Sequence, residues 1–286
     1  MPAPASLRID GHTQVIAHLG YPTHSFKAPL IYNPYFAARQ IPAVVVPLGC
    51  QPAHFEPMLR TFFKATNALG ALITMPHKVS VLSLLDDISV TAQVAGACNA
   101  VKRTAEGKLV GDMFDGQGFV LGLTHKGLDL RGKRALVVGN GGVGCAIAAS
   151  LAAAGVQSLR LFDLHTPNTQ SLAQRLAQHY PDLHLETGSA DPSDLDLVIN
   201  ATPLGMKPDD PLPIDVSRLS AHTHVGEVVM TQRITPFLAA AMAKGCPIQV
   251  GTDMLFEMIP AYLDFFGLPS TTAEQLRELA QLEPSH

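Results

Sequence analysis

Apolar residues along this chain form short runs and helix-spaced sets, separated by turns that contain glycine or proline. Short apolar runs in the first part predict buried strands at residues 14–20, 43–48 and 71–74. Helix-like spacing predicts helices at residues 30–39, 52–69 and 79–85. A β-hairpin is predicted to begin at 97–102 and to turn at 106–108. This alternation is typical of an α/β domain with a mostly parallel sheet.

A second series of alternating elements follows a predicted helix at 116–126. Strands are predicted at 134–138, 159–162, 196–202, 224–229 and 247–250, and helices at 145–152 and 235–244. Residues 253–266 are rich in Met, Leu and Phe, and we expect them to form a helix that packs back on the first domain. The pattern therefore predicts two α/β domains with a ligand cleft between them.

A glycine-rich turn follows the strand predicted at 134–138. Its residues are Gly139, Asn140, Gly141, Gly142, Val143 and Gly144, which fit the pattern G-x-G-x-x-G between a strand and a helix. In that pattern the first glycine permits a tight turn, the second lets a pyrophosphate approach and the third allows close helix packing. The helix N-terminus adds free N–H groups. An ordinary turn that binds nothing is the alternative, but the context favours a dinucleotide site.

Asp163 ends the next predicted strand, 19 residues after Gly144. A carboxylate there can accept hydrogen bonds from both ribose hydroxyls of NAD and repels the additional phosphate of NADP. The following residues, Leu164, His165 and Thr166, include no Arg or Lys. We therefore predict NAD as the cofactor, with NADP less favoured. A helix cap or a solvated loop position is the alternative role for Asp163.

These motifs assign the domains. Residues 1–115 with 252–286 are predicted to form an α/β substrate domain with a mostly parallel sheet, and residues 116–251 a Rossmann dinucleotide-binding domain. A length of 286 residues is sufficient for both.

Composition excludes several classes of protein. The net charge of −4 and the absence of a basic run argue against nucleic acid as a partner. No run of 18 apolar residues predicts a membrane span, and no export signal is visible, so we expect a cytoplasmic protein. The four cysteines are scattered and are expected to be reduced, and no spacing suggests a metal site. The oligomeric state stays open, with a homodimer as one alternative.

Several segments resemble the shikimate dehydrogenase family in order and spacing, over nearly the whole chain. They are Ile-Thr-Met-Pro-His-Lys at 73–78, Gly-Ala-Cys-Asn-Ala at 96–100, Gly-Asp-Met-Phe-Asp-Gly at 111–116, the glycine loop, Asn-Ala-Thr-Pro-Leu-Gly at 200–205, Thr-Pro-Phe at 235–237 and Gly-Thr-Asp-Met-Leu at 251–255. The resemblance implies a nicotinamide-dependent dehydrogenase.

Lys78 and Asp115 are the predicted catalytic pair. A hydride can leave a secondary alcohol only if the hydroxyl proton also leaves, and a Lys–Asp pair can carry that proton. The resemblance implies the same roles, with Lys78 as the acid/base and Asp115 as its partner. It also implies that Asn99 hydrogen-bonds the substrate hydroxyls, and that Thr74 is retained in the substrate site.

Other positions depart from the family pattern. Two serines that bind the substrate carboxylate in the family fall at Phe26 and Ala28 in this chain, and Ser25, Thr23 or Lys27 are candidates to replace them. The family's glutamine on the last helix falls at Met258, its tyrosine at Gly226 and its asparagine before Thr74 at Leu72. The pocket is therefore predicted to be more apolar, and shikimate is predicted to be a poor substrate.

The resemblance also implies residues around the nicotinamide. They are Asn200, Ala201, Thr202, Val228, Gly251 and Met254. From residue type alone, ordinary core packing is the alternative role for Met254.

The predicted function is reversible hydride transfer between NAD and a secondary alcohol of a small cyclic hydroxy acid related to shikimate or quinate. One alternative is a biosynthetic shikimate dehydrogenase that reduces 3-dehydroshikimate. Another, from a different class, is an NAD-binding regulatory module with little turnover. The presence of Lys78, Asp115 and Asn99 argues against that module, because a sensor has no need of proton-transfer groups.

Overall fold

Two compact units are present in the computed structural model, which describes residues 7–24, 26–207 and 209–282. The first unit contains the residues up to Ala92, Ala97–Met113 and the residues from Ile259 onward. The second contains Gln93–Gly96 and Phe114–Met258. Within these described ranges, no helix combines the length and apolar character that crossing a membrane requires.

The first unit is built on a mixed six-stranded sheet. Its strands are β1 (Gln14–Gly20), β2 (Ala43–Gly49), β3 (Ala68–Ile73), β4 (Asp87–Ile88), β5 (Ala100–Arg103) and β6 (Leu109–Asp112), in the order β2-β1-β3-β5-β6-β4. Strands β1, β2 and β3 are parallel, whereas β5 is antiparallel to both β3 and β6. Its helices are α1 (Ala28–Arg39), α2 (Phe55–Phe62), α9 (Ile259–Phe266) and α10 (Ala273–Leu279); α3 (Val90–Ala95) lies across the division between the units.

One core cluster of the first unit lies on one face of this sheet. Ala17 and Leu19 of β1 point to the same face as Phe55 and Leu59 of α2, and all four are buried. His18, between Ala17 and Leu19, therefore points to the opposite face. Alternation along β1 thus places one polar side chain away from this core.

The second unit has a parallel six-stranded sheet. Its strands are β7 (Arg134–Val138), β8 (Ser158–Phe162), β9 (His184–Thr187), β10 (Leu197–Asn200), β11 (His224–Glu227) and β12 (Ile248–Gln249), in the order β12-β11-β10-β7-β8-β9. The helices are α4 (Asp115–His125), α5 (Gly142–Ala153), α6 (Thr166–His179), α7 (Pro236–Ala243) and α8 (Gly251–Glu257). This is the order of the Rossmann fold, which reverses between β7 and β10. Ligands bind such sheets at the carboxyl ends of the strands beside that reversal.

Two predicted helices of the first unit are shorter than expected. The helix predicted at 52–69 is a 3-10 turn at Pro52–His54 followed by α2, which ends at Phe62. Asn67 cannot continue it, because its carbonyl accepts a hydrogen bond from Val15 at the start of the sheet. The segment predicted at 79–85 is a 3-10 turn, Ser80–Leu84. There Ser80 and Ser83 donate to the carbonyls three residues earlier, a local bond that competes with an α-helix.

The tail is two helices instead of the one predicted at 253–266, and they belong to different units. Pro260 has no N–H to give to residue 256, so α8 ends at Glu257 and α9 begins at Ile259. Helix α8 pairs with α4 through Lys126 and Asp253 at 2.5 Å and through His125 and Glu257 at 3.0 Å. The division at 258/259 thus differs from the boundary expected at 251/252, and only α9 and α10 are grouped with the first unit.

Candidate active site

The glycine loop joins β7 to α5 in the second unit. Gly139 has a φ of +92°, in the region that favours glycine, and a Cβ on Gly144 would lie 1.9 Å from the Gly139 carbonyl oxygen. A Cβ on Gly141 would meet nothing within 4 Å. Two glycines are therefore required by the turn and its packing, whereas the space beside Gly141 is open to a ligand.

Asp163 lies at the end of β8 and is joined to the glycine loop. Its Oδ2 accepts a hydrogen bond from the Asn140 backbone N–H at 2.6 Å, and its Oδ1 accepts one from the His165 N–H at 2.8 Å. The Asn140 side chain is buried and accepts a hydrogen bond from Thr169 of α6 at 2.8 Å. Asn140 therefore holds the loop in place, and the two backbone donors fix the Asp163 carboxylate.

A cavity of about 250 Å³ lies next to Asp163. It is lined by Phe162, Asp163, Leu164, Thr166, Thr169, Gln170, Thr187 and Gly188, none of which is Lys or Arg. Leu164 is 92% exposed and presents an apolar side chain to this cavity. Asp163 is the part of this lining that the sequence predicted; the residues from α6 and from the end of β9 were missed because neither element was predicted.

The loop after β10 is folded by Asn200. Its Nδ2 donates to the Leu204 carbonyl at 2.9 Å, and its Oδ1 accepts from the Thr202 hydroxyl at 2.6 Å. Ala201 and Thr202 lie against Gly139, where they would meet any Cβ on that residue. The structure therefore brings three of the residues predicted around the nicotinamide next to the glycine loop.

Glu227, at the end of β11, is a buried carboxyl group beside this loop. Burial raises its pKa to about 7, although hydrogen bonds from Thr235 and Asn200 act in the opposite direction. The Thr235 hydroxyl donates to Oε2 at 2.9 Å, and Oε1 is buried without a hydrogen-bond partner. A carboxyl group that titrates near neutrality thus lies at the carboxyl edge of the sheet.

Gly251, the first residue of α8, packs against the chain that follows β11. A Cβ there would lie 2.1 Å from the Val229 carbonyl and 2.8 Å from the Val228 carbonyl carbon. The Val228 N–H donates to Asn200 at 3.2 Å. Met254 is buried one turn further along α8, and Met258 is half-buried where α8 ends. Val228 and Gly251 therefore lie near the Asn200 loop.

In the first unit, Thr74 and Lys78 follow the carboxyl end of β3. The Thr74 N–H donates to Leu19 at 2.9 Å, and the Lys78 carbonyl accepts from Cys98 at 2.8 Å. The Asn99 carbonyl accepts from Ile73 at 2.8 Å and from the Tyr262 hydroxyl at 3.4 Å. Backbone pairing therefore brings the segments that carry Thr74, Lys78 and Asn99 to one end of the first sheet.

His18 and Phe26 stack at this end of the first sheet, with ring centroids 4.1 Å apart. Burial, and next the charge of Lys78, lower the pKa of His18 to about 4, so the imidazole is neutral. Phe26 and Thr74 both lie over Gly20, where a Cβ would meet each of them below 3.0 Å. Ala28 begins α1, and Ser25 lies outside the described residues. His18 was not predicted as a site residue, because it lies in none of the motifs.

Asp115 is the first residue of α4, in the second unit, and is buried. Lys78 belongs to the first unit. Their predicted pairing stays a prediction. In the described part of the chain no cluster of three or more His, Cys, Asp and Glu could hold a metal ion, and all four cysteines are free and buried.

Two family models match the chain. The model described as the shikimate dehydrogenase substrate binding domain matches residues 19–101, and the ThiF family model matches residues 123–175. The first range contains Thr74, Lys78 and Asn99, and the second contains the glycine loop and Asp163.

Similar proteins cover nearly the whole chain. Shikimate dehydrogenase (NADP(+)) of Rubrobacter xylanophilus is 33% identical over 283 residues, which are 96% of this chain and 98% of that protein. Quinate dehydrogenase of Corynebacterium glutamicum, solved with NAD, is 29% identical with a TM-score of 0.82 over 93% of this chain and 98% of its own. Shikimate 5-dehydrogenase of Listeria monocytogenes, solved with shikimate and NAD, shares the fold, with 24% identity and a TM-score of 0.89 over 95% of this chain and 98% of its own.

Proposed function

Because this chain belongs to the shikimate dehydrogenase family, we propose that it catalyses reversible hydride transfer between NAD and a secondary alcohol of a cyclic hydroxy acid related to shikimate or quinate. The observation that carries the proposal is the glycine loop, with Asp163 beside it, in a chain that also has the family's Lys78 and Asn99. The nicotinamide, when bound, supplies the hydride donor or acceptor.

The residues around the glycine loop fit a dinucleotide. Gly141 leaves open space where a side chain would obstruct a pyrophosphate, and α5 begins there with N–H groups that can bind an anion. The cavity next to Asp163 offers an exposed leucine to a flat apolar group such as adenine. Asn200, Ala201, Thr202, Val228, Gly251 and Met254 would hold the nicotinamide end.

The preference for NAD over NADP is supported by charge. Asp163 presents a carboxylate whose remaining lone pairs can accept two ribose hydroxyls, and it repels a 2′-phosphate. The residues that line the cavity include no cation to compensate such a phosphate. The relatives are named for NADP(+), so a preference for NAD would distinguish this chain from them.

Lys78 and Asp115 would transfer the proton. The Lys78 amine would take the proton of the substrate hydroxyl during oxidation and return it during reduction. Asp115, a buried carboxyl group, would orient the amine, and Asn99 would bind neighbouring hydroxyls. Thr74, Phe26, Ala28, Met258 and Ser25 complete the proposed substrate set.

Apolar side chains support an altered substrate preference. Phe26 lies against His18 where the family has a serine, and Tyr21, Met75 and Val79 are exposed on the loops near Lys78. Each charge-assisted hydrogen bond that a carboxylate loses weakens binding by about 1.5–3 kcal/mol. Shikimate is therefore expected to bind weakly. The biosynthetic alternative, reduction of 3-dehydroshikimate, is favoured only by the names of the relatives.

A steady-state assay tests the proposal. Shikimate, quinate and related cyclic hydroxy acids are each offered with NAD and with NADP, and absorbance at the nicotinamide band is followed. We expect turnover that favours NAD, with shikimate a poor substrate. Rapid NADP-linked oxidation of shikimate would support the biosynthetic alternative instead.

The Lys78→Ala variant separates an enzyme from an NAD-binding regulatory module. The variant should lose turnover by about 10²–10⁴-fold, the range that general acid–base catalysis contributes. Its affinity for NAD, measured by calorimetry, should change little, because the nucleotide residues lie in the other unit. Unchanged turnover in the variant would show that Lys78 takes no part in the reaction.

A further inference from the structure

Two buried or half-buried histidines of the first unit stack on phenylalanines, and they differ in one respect. His77 stacks on Phe55 with centroids 4.0 Å apart, and its Nε2 lies 2.7 Å from the Cys50 carbonyl. His18 stacks on Phe26, but its Nδ1 is buried without a hydrogen-bond partner. Buried polar atoms nearly always have partners, so His18 requires an explanation that His77 does not.

The tautomer of His18 follows from that buried nitrogen. A neutral imidazole has one N–H donor and one acceptor nitrogen. A proton on Nδ1 would leave a buried donor without an acceptor, which is less tolerated than a buried acceptor without a donor. The proton is therefore on Nε2, and His18 can donate one hydrogen bond from that atom.

The charge next to His18 indicates what it would donate to. Lys78 is close enough that its positive charge disfavours a second positive charge on the imidazole. The same potential favours a negative charge in that place. A carboxylate of the substrate could therefore accept from Nε2 in this positive potential, with the Lys78 amine left for the substrate hydroxyl and Phe26 holding the imidazole plane in position.

We propose that His18 is a specificity-determining residue, and that its Nε2–H donates a hydrogen bond to the carboxylate of the cyclic hydroxy acid. This inference rests on the function proposed above. His18 would supply a hydrogen-bond donor in the first unit, where Phe26 and Ala28 have none. A donor for a carboxylate limits the substrate class to ring alcohols that carry a carboxylate.

Matched acids and esters test the inference. Quinate and shikimate are compared with their methyl esters, which have the same ring but no charge, using wild type, His18→Phe and His18→Gln. Phenylalanine retains the stack and removes the donor, whereas glutamine places an amide N–H near the position of Nε2. We expect His18→Phe to raise KM for the acids about 10- to 100-fold, with kcat and the esters changed little. His18→Gln should recover most of the loss.

His77→Phe is the control, because His77 is also a stacked histidine but its Nε2 contacts the Cys50 carbonyl. Any change that His77→Phe makes in KM should be the same for the acids and for their esters. If His18→Phe also weakens acid and ester equally, or changes neither, the inference is wrong and His18 has only a packing role.

Calorimetry of the acids, with NADH present, distinguishes the two proposals. If the acids bind in a way that depends on His18 but are not oxidised in the assay with NAD, the inference is supported and the proposed function is contradicted. If the acids are oxidised but neither binding nor turnover changes in the His18 variants, the proposed function is supported and the inference about His18 is contradicted. If wild type neither binds nor oxidises the acids, both are overturned.

Discussion

Asp163 is the residue whose contacts bear most directly on cofactor choice. Its two carboxylate oxygens each accept one backbone N–H, from Asn140 and His165. Those bonds orient the carboxylate, and each oxygen keeps a lone pair for a ribose hydroxyl. One side chain therefore stabilises the loop and contributes the charge that discriminates between nucleotides.

We expect Asp163→Asn to raise KM for NAD by roughly 10- to 100-fold, because charge-assisted hydrogen bonds are replaced by neutral ones. KM for NADP should stay the same or fall, since the repulsion of the 2′-phosphate disappears. Initial rates measured with each nucleotide give the ratio of KM for NAD to KM for NADP. Asp215→Asn, at an exposed capping aspartate, is the control. An equal increase for NAD and NADP would mean that Asp163 only supports the loop.

Glu227 should make stability depend on pH. Burial raises the pKa of its folded form from the ordinary value of 4.5 to about 7. Between these two values the folded chain holds a proton that the unfolded chain has lost, so stability falls as pH rises. The loss begins above about pH 4.5 and is complete above about pH 7. Glu227→Gln has no such titration.

The measurement is the melting temperature of wild type and Glu227→Gln from pH 5 to pH 8. Wild type should lose stability relative to the variant as pH rises. Glu186→Gln, which alters a carboxylate paired with Arg160, is the control: the pKa of Glu186 is lowered from 4.5, so it is ionised in both states above pH 5 and its difference from wild type should stay constant across the scan. A constant difference between wild type and Glu227→Gln would contradict the assigned pKa.

At the scale of elements, the turn from β7 to α5 separates glycines needed for folding from one left open for a ligand. Gly144 has the Gly139 carbonyl at the position of a Cβ, whereas the Cβ of a residue at 141 would have no neighbour. The backbone of Gly141, with φ −76° and ψ −169°, is one that any residue can adopt. Substitutions at these two positions should therefore fail for different reasons.

Gly144→Ala should destabilise the protein by about 1–3 kcal/mol or more, because a backbone oxygen cannot move away from the added methyl group without deforming the turn. Gly141→Ala should leave the melting temperature nearly unchanged and weaken NAD binding. Thermal unfolding without nucleotide, followed by calorimetry with NAD, gives both quantities. Wild-type affinity in Gly141→Ala would show that no pyrophosphate approaches this residue.

At the scale of the whole molecule, the first unit is assembled from both ends of the chain. Helices α9 and α10 return to a sheet whose strands all lie before residue 113. The Phe266 ring lies directly on Gly70 of β3, at the position where a Cβ would be 2.2 Å away. The Tyr35 hydroxyl donates to the Pro269 carbonyl at 2.8 Å. Stability of the first unit thus depends on residues far apart in sequence.

We expect Phe266→Ala to reduce the free energy of unfolding by about 3–5 kcal/mol, as for other buried phenylalanines, because Gly70 has no side chain to fill the space. Phe265→Ala is the matched comparison. Phe265 is only half-buried, and its ring contacts Lys102 with Nζ 4.4 Å from the centroid. Urea denaturation of both variants measures the difference. Equal losses would mean that the Phe266–Gly70 contact contributes nothing specific.

Much of the architecture was predictable from sequence. The strands at 134–138 and 14–20, the hairpin that includes β5 and β6, and the glycine turn all have local signals, since periodicity and turn chemistry act over a few residues. The predicted helix at 52–69 was wrong because its last part joins the sheet through Asn67, a contact with a residue 52 positions earlier. The single tail helix was wrong because Pro260 interrupts it.

By itself, the sequence determined the α/β class, the Rossmann loop and the family, because these depend on residue types at fixed spacings. Only the tertiary structure decided which of those residues are neighbours. It placed Phe26 on His18, Asn140 between Asp163 and Thr169, and Glu227 without a partner for one oxygen. The physical reason is that burial and the electrostatic environment of a side chain come from residues distant in sequence, which no local pattern specifies.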